Sequence, residues 1–161
     1  DRCNRHPCSS SGGWSTGKKG GAQAQALGRS RGGFGTKIHA VVDALGLPLR
    51  FILGPGQQND MAPACDLIRG IPADKVLADR AYDADKLHDL IYEQGGEPVI
   101  PPRRHRKYQH RYDRIAYKQR WGIEGFFAKL KQWRRIATRY DKLAANFLGF
   151  VKLASIMLWI K

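Results

Sequence analysis

Acidic residues are scarce in this 161-residue chain: 14 Asp and Glu stand against 28 Lys and Arg, leaving a formal charge of +14. The deficit excludes a charge-balanced surface and points to a polyanionic partner, because Lys and Arg that neutralise phosphates release condensed counterions. Cysteine is sparse too, with Cys3, Cys8 and Cys65 only. An odd number without regular spacing excludes a disulfide framework and suits a reducing cytosol. Cys3, His6 and Cys8 could supply part of a zinc site, but no second ligand pair follows at useful spacing, which argues against one. Long apolar runs are missing. The most apolar stretch, Phe147 to Ile160, is interrupted by Lys152 and falls short of the roughly 20 residues that span a bilayer. Neither a signal peptide nor a Met opens the chain, so it is expected to be a fragment of a longer product.

What is present suits one globular domain. Hydrophobic residues make up 42% of the chain, enough for a core and too many for wholesale disorder. Residues 1–30 are rich in Ser, Gly, Gln and Arg and lack periodicity, so they are expected to form a basic flexible arm that lies on DNA or is simply a solvated linker. Residues 31–161 form the folded domain. Thr36 to Val42 and Leu47 to Leu53, separated by Asp43-Ala-Leu-Gly46, predict an antiparallel hairpin. Asn59 or Asp60 then caps a helix over 61–69 that Gly70 closes. Lys75 to Ala78 predicts a short buried strand with Asp79 at its tip. Asp83 is expected to cap the next helix, which carries Leu87, Leu90 and Ile91 and stops at Gly95-Gly96. A strand, an acid at its end and a helix is where open α/β sheets place their chemistry. Pro98 to Pro102 predicts another short strand, and a final helix over 142–161 offers a broad apolar face to a sheet.

The stretch from Tyr117 to Lys131 carries the strongest signal. At about 100° per residue, Tyr117, Arg120, Glu124 and Lys131 fall on one helix face, while Ile123, Phe126, Leu130 and Trp133 cluster on another. From Arg103 to Arg139 there are thirteen Lys or Arg and only two acids, Asp113 and Glu124. A lone carboxylate inside a phosphate-binding surface weakens binding unless something else needs it, and a divalent metal is such a need. His105 and His110 lie in the same basic run, a poor place for cation ligands. Tyr108 and Tyr112, interleaved with the cations there, suit a DNA contact.

Tyr117, Arg120, Glu124 and Lys131 also match the Tyr-x2-Arg-x3-Glu-x6-Lys signature, so the chain resembles the transposases of bacterial insertion sequences that use an Asp-Asp-Glu (DDE) site. Gly28 to Phe34, Thr36 to His39, Ala78 to Asp83, Pro101 to Arg104 and Arg135 to Lys142 resemble the same family in order. The resemblance implies an α/β, RNase H-like mixed sheet flanked by helices and lacking its first strand. It implies Asp79, Glu124 and Asp1 as catalytic, metal-holding carboxylates, with Asp43 an alternative whose turn position favours capping. Asp1 has the right spacing before Gly28, although Arg2-Cys3 replaces the family's small residue and Thr.

Oxygen-only ligands select Mg²⁺ or Mn²⁺. Tyr117, Arg120, Lys131, Arg134, Arg135, Arg103, Arg104 and Arg31 are the expected DNA contacts. Metal-dependent cleavage and strand transfer at the element ends are the implied activity. Double-stranded DNA, at element ends and target, is the implied partner, with a homodimer on DNA in a bacterial cytoplasm, associated with the nucleoid. The alternatives are a metal-dependent nuclease of the same fold and a non-catalytic DNA-binding remnant.

Overall fold

The computed structural model describes residues 24–160, Gly21 and the backbone of Arg5–Pro7. Its organising strand is the third. Strand β1 (Arg5–Pro7) and strand β2 (Gly28–Ser30) both pair antiparallel with β3 (Gly33–Val42), and β3 forms a hairpin with β4 (Pro48–Pro55). Gly35 pairs with both Pro7 and Gly28, and Lys37 with both Arg5 and Gly54. One edge of β3 therefore carries β1, and the other carries β2 and then β4.

The hairpin turn follows the predicted chemistry. Asp43 Oδ1 accepts from the Leu45 and Leu47 N–H groups at 2.9 and 2.8 Å, and Gly46 takes a φ of +80° that side chains disfavour. Capping, not ligation, is what Asp43 does with that oxygen.

After the hairpin come α1 (Ala64–Ile68), β5 (Lys75–Leu77), α2 (Asp85–Glu93) and β6 (Glu97–Val99), with β5 and β6 parallel in a second, two-stranded sheet. The helix expected over 61–69 is shorter than predicted, because turns occupy its first residues; Asn59 caps those turns through the Met61 N–H at 3.1 Å. Arg50 Nη1 closes α1 by donating to the Asp66, Leu67 and Arg69 carbonyls at 3.0, 3.2 and 2.7 Å. Then follow α3 (Arg114–Tyr117), a 3₁₀ turn over Lys118–Arg120, α4 (Trp121–Leu130), α5 (Arg134–Ala137) and α6 (Ala144–Ile160). The single signature helix expected from the sequence is thus α3, a 3₁₀ turn and α4 in succession. Its faces survive, since the junction residues keep right-handed helical angles.

Two apolar clusters hold these parts. In the first, Ile38 of β3 packs with Phe126 and Leu130 of α4, Ile136 of α5, and Phe147, Val151 and Ala154 of α6. The second joins Ala64 and Cys65 of α1 to Leu87 and Ile91 of α2 and to Ile100. Ile38 faces the helices of the first cluster, Thr36 meets Arg139, and Lys37 on the opposite face meets Gln58 and Asp60 of the turn after β4, so Thr36 to His39 are all buried instead of alternating. Trp133, expected on the apolar face of the signature helix, lies beyond its end and is exposed. Among the described residues no helix is long and apolar enough to cross a membrane.

Packing begins before residue 31. Ala26 and Leu27 are buried, and Arg139 Nη1 donates to the Gln25 carbonyl at 2.9 Å. Residues 1–4, 8–20, 22 and 23 lie outside the described residues, and with them most of the expected arm.

Candidate active site

A cleft of about 1090 Å³ separates the two sheets. Consecutive residues line it from both sides, Ile38 to Ala44 of the hairpin and Asp74 to Asp79 around β5. It is therefore bounded by strand edges as well as by faces. The α4 helix closes it, contributing Gly122, Ile123, Glu124, Phe127 and Lys131, with Arg120 just ahead.

Asp79 lies two residues beyond the end of β5. Its Oδ1 accepts from the Ala81 N–H at 2.8 Å and caps the 3₁₀ turn Arg80–Tyr82, which fixes the rotation of the carboxylate. Glu124 lies in the first turn of α4, exposed, where a negative charge suits the helix dipole. Arg120 Nη2 donates to Glu124 Oε1 at 2.7 Å, one helical turn back, and its guanidinium lies 5.7 Å from the Tyr117 ring centroid. Tyr117 in turn meets Tyr112 edge-on, with centroids 5.5 Å apart. Lys131 ends α4 and is exposed. Asp79, Arg120, Glu124 and Lys131 thus border one cleft. No trio of His, Cys, Asp or Glu ligand atoms within 4.8 Å of one another includes Asp79 or Glu124 among the described residues. Asp1 lies outside the described residues.

The position of α4 is set by glycine. A Cβ on Gly46 would come within 3.0 Å of the Gly122 carbonyl oxygen, and one on Gly122 within 3.6 Å of Gly46 Cα. The hairpin turn therefore rests directly on the helix two residues before Glu124. Gly125 faces open space and makes no comparable contact.

The expected cations divide. Arg31 is exposed and lines a shallow hollow with Arg29, whereas Arg134 and Arg135 are exposed on α5, Arg135 lying 4.5 Å from the Phe150 ring centroid. Arg104 is exposed. Arg103 is exposed but tied inward, donating through Nη2 to the Ala81 carbonyl at 2.6 Å. Arg139, counted above within the basic run, is fully buried. It donates to Thr36 Oγ1 at 2.5 Å and to the Gln25, Asp141 and Lys142 carbonyls. It is a structural fork, not a DNA contact.

Asp83 differs likewise. It does not cap α2, whose N-cap Ala84 receives no side-chain bond. Its buried carboxylate accepts instead from the Arg103 N–H at 2.7 Å and from Arg106 Nη1 at 3.0 Å, anchoring the basic loop. Lys75 similarly meets Asp113 at 2.8 Å. That bond, joined by the Ala116 N–H, holds Asp113 at a pKa of about 2 while it caps α3.

The sequence profile of the transposase DDE domain matches residues 11–159. The chain belongs to the DDE transposases of insertion sequences. This is a family of enzymes. The DDE domain is 44% identical over 128 residues to a Brucella ovis protein named as transposase for insertion sequence element IS6501, covering 78% of the chain and 98% of that relative. It is 32% identical over 136 residues to the Burkholderia cepacia protein named as transposase for IS402. That match covers 77% of the chain but only 62% of the relative's length. No solved structure matches.

Sequence reasoning missed two features of the DDE domain's surroundings. Gly46 showed only as turn chemistry, since nothing local marks what a turn leans on. His88, next to the buried Leu87 on the apolar face of α2, was visible as a polar residue on that face and is buried.

Proposed function

We propose that this DDE domain performs metal-dependent strand cleavage and strand transfer on double-stranded DNA at insertion-sequence ends, with Asp79, Glu124 and Asp1 as its carboxylates. The observation that carries this reading is the sharing of one cleft by Asp79 from β5 and Glu124 from α4, with Arg120 and Lys131 at its border. The all-oxygen donors fit a hard ion, and both acids retain an oxygen beyond the ones that meet Ala81 and Arg120. Mg²⁺ or Mn²⁺ held there supplies Lewis-acid polarisation of the phosphodiester and activation of the attacking water or 3′-hydroxyl.

The chain's own groups set the stage. The Ala81 N–H orients Asp79, and Arg120, steadied between Glu124 and the Tyr117 ring, is placed to hold a flanking phosphate. Lys131 adds a second cation at the far end of α4. Arg31, Arg103, Arg104, Arg134 and Arg135 extend the phosphate contacts across the surface.

The proposed fold is an RNase H-like sheet. Among the described residues β1 covers its edge of β3 only as far as Lys37, and the cleft begins at Ile38. A strand laid along Ile38 to Val42 and against β5 would merge the two sheets into one. On DNA the domain acts as a homodimer, in the bacterial cytoplasm at the nucleoid.

The test is a cleavage and joining assay on element-end DNA with Mg²⁺ or Mn²⁺. Asp79→Asn and Glu124→Gln should each abolish both steps while DNA is still bound. Hydrolysis without joining in the parent would favour a nuclease, and activity that survives both substitutions would overturn the assignment.

A further inference from the structure

One cluster of potential ligands lies outside this cleft and is not used by the proposed reaction. Asp83, His88 and His110 each present one ligand atom, all within 4.8 Å of one another. They come from three segments: Asp83 follows the 3₁₀ turn after β5, His88 belongs to α2, and His110 to the basic loop that leads into the signature helix.

Each is set for ligation. The Asp83 side chain has no exposed surface, and its Oδ1 lies 3.3 Å from His88 Nε2. His88 is 8% exposed, and its Nε2 is a buried atom without a hydrogen-bond partner, close to that carboxylate but not bonded to it. His110 Nε2 lies 2.9 Å from the Ile100 carbonyl oxygen. A carbonyl only accepts, so Nε2 carries a proton, and in the neutral ring this leaves the lone pair on Nδ1, the tautomer in which a backbone carbonyl orients a metal-binding imidazole. The two rings stand edge to face, with centroids 5.0 Å apart.

We propose that Asp83, His88 and His110 form a three-ligand site for a borderline transition-metal ion of the Zn²⁺ class, chemically distinct from the carboxylate cleft. Two imidazoles and one carboxylate suit Zn²⁺ or Co²⁺ and disfavour Mg²⁺, which takes oxygen. The resident competitor is Arg106, whose Nη1 lies 3.0 Å from Asp83 Oδ1. Its other terminal nitrogen pairs with Asp85, so the guanidinium has a second carboxylate to keep when an ion takes Asp83. The ion would join the end of the 3₁₀ turn after β5, α2 and the basic loop at one point, fixing where Arg103 and Arg104 are presented.

Titration with Co²⁺, followed by visible absorption, tests the site. The background is the full chain with Cys3→Ser, His6→Gln and Cys8→Ser, which removes the other candidate ligands near the amino end. One equivalent should bind with the intense bands of a low-coordinate site, without thiolate charge transfer, and excess Mg²⁺ should not displace it. His110→Ala and His88→Gln should each weaken binding by roughly tenfold or more. Arg106→Gln should strengthen it, because it removes a cation that competes for Asp83; a merely structural cluster would not respond this way. Absence of Co²⁺ bands in the background chain would overturn the proposal. So would a spectrum and affinity unchanged by His110→Ala, whose folding circular dichroism checks.

Discussion

Gly46 and Gly122 meet backbone to backbone, so the β3–β4 turn acts as the stop against which α4 is seated. A side chain at Gly46 crowds the helix that carries Glu124, whereas a Cβ at Gly122 would sit in ordinary contact with the turn. Gly46 is doubly constrained, since its φ of +80° already disfavours any L-residue by about 1–2 kcal/mol. Gly46→Ala should lower stability by at least that amount in urea denaturation. Gly122→Ala, with 3.6 Å of room, should be milder and should report on activity more than on folding.

Glu124→Gln should leave the melting temperature nearly unchanged. Its pairing with Arg120 is an exposed i, i+4 contact, and such pairs contribute only about 0.3–0.5 kcal/mol. DNA affinity should hold or rise, because a negative charge leaves a cationic surface. Electrophoretic mobility shifts compared with cleavage on the same DNA would separate these effects. A clear loss of DNA binding would assign the carboxylate a structural role.

Replacing Arg134 and Arg135 with Gln should flatten the plot of log K against log salt by about 1.8 units, if both contact phosphate. Sequence preference should change little, since phosphate contacts carry none directly. Arg139→Gln provides the contrast. It should destabilise the domain by several kcal/mol, as orphaned buried acceptors cost about 1–3 kcal/mol each, without altering the salt slope of the protein that remains folded.

Acid should weaken the fold through His39. Burial lowers its pKa below 6.5, Lys37 adds to that shift, and Asp60 opposes it. The folded state therefore holds fewer protons than the unfolded one below pH 6.5, and stability falls as the pH drops through that range. Denaturation midpoints at pH 7.5 and 5.5 should differ, and His39→Gln should narrow the difference.

Legibility in the sequence followed locality. The hairpin, the cap at Asn59, the stops at Gly70 and Gly95 and the strand ending at Asp79 were readable because each depends on neighbours a few residues away. The stretch from Tyr117 to Lys131 was readable in its faces, and Arg120 and Glu124 met as their spacing required. Arg139 was misread because a cation in a basic run looks solvent-facing until Thr36, 103 positions earlier, is found beside it. Asp83 failed for the same reason: its partners Arg103 and Arg106 arrive some twenty residues later.

Asp79 and Glu124 ride on different foundations. Val76, Ala78 and Tyr82 root the first in the α1–α2 cluster, while Ile123 and Phe126 root the second in the cluster beneath α4 and α6. The separation of the two acids is therefore set by how one cluster is seated against the other, and Arg50, reaching from β4 to the carbonyls at the end of α1, is one of the ties that hold that seat. An ion gripping both acids would add a second tie across the cleft, far from the first.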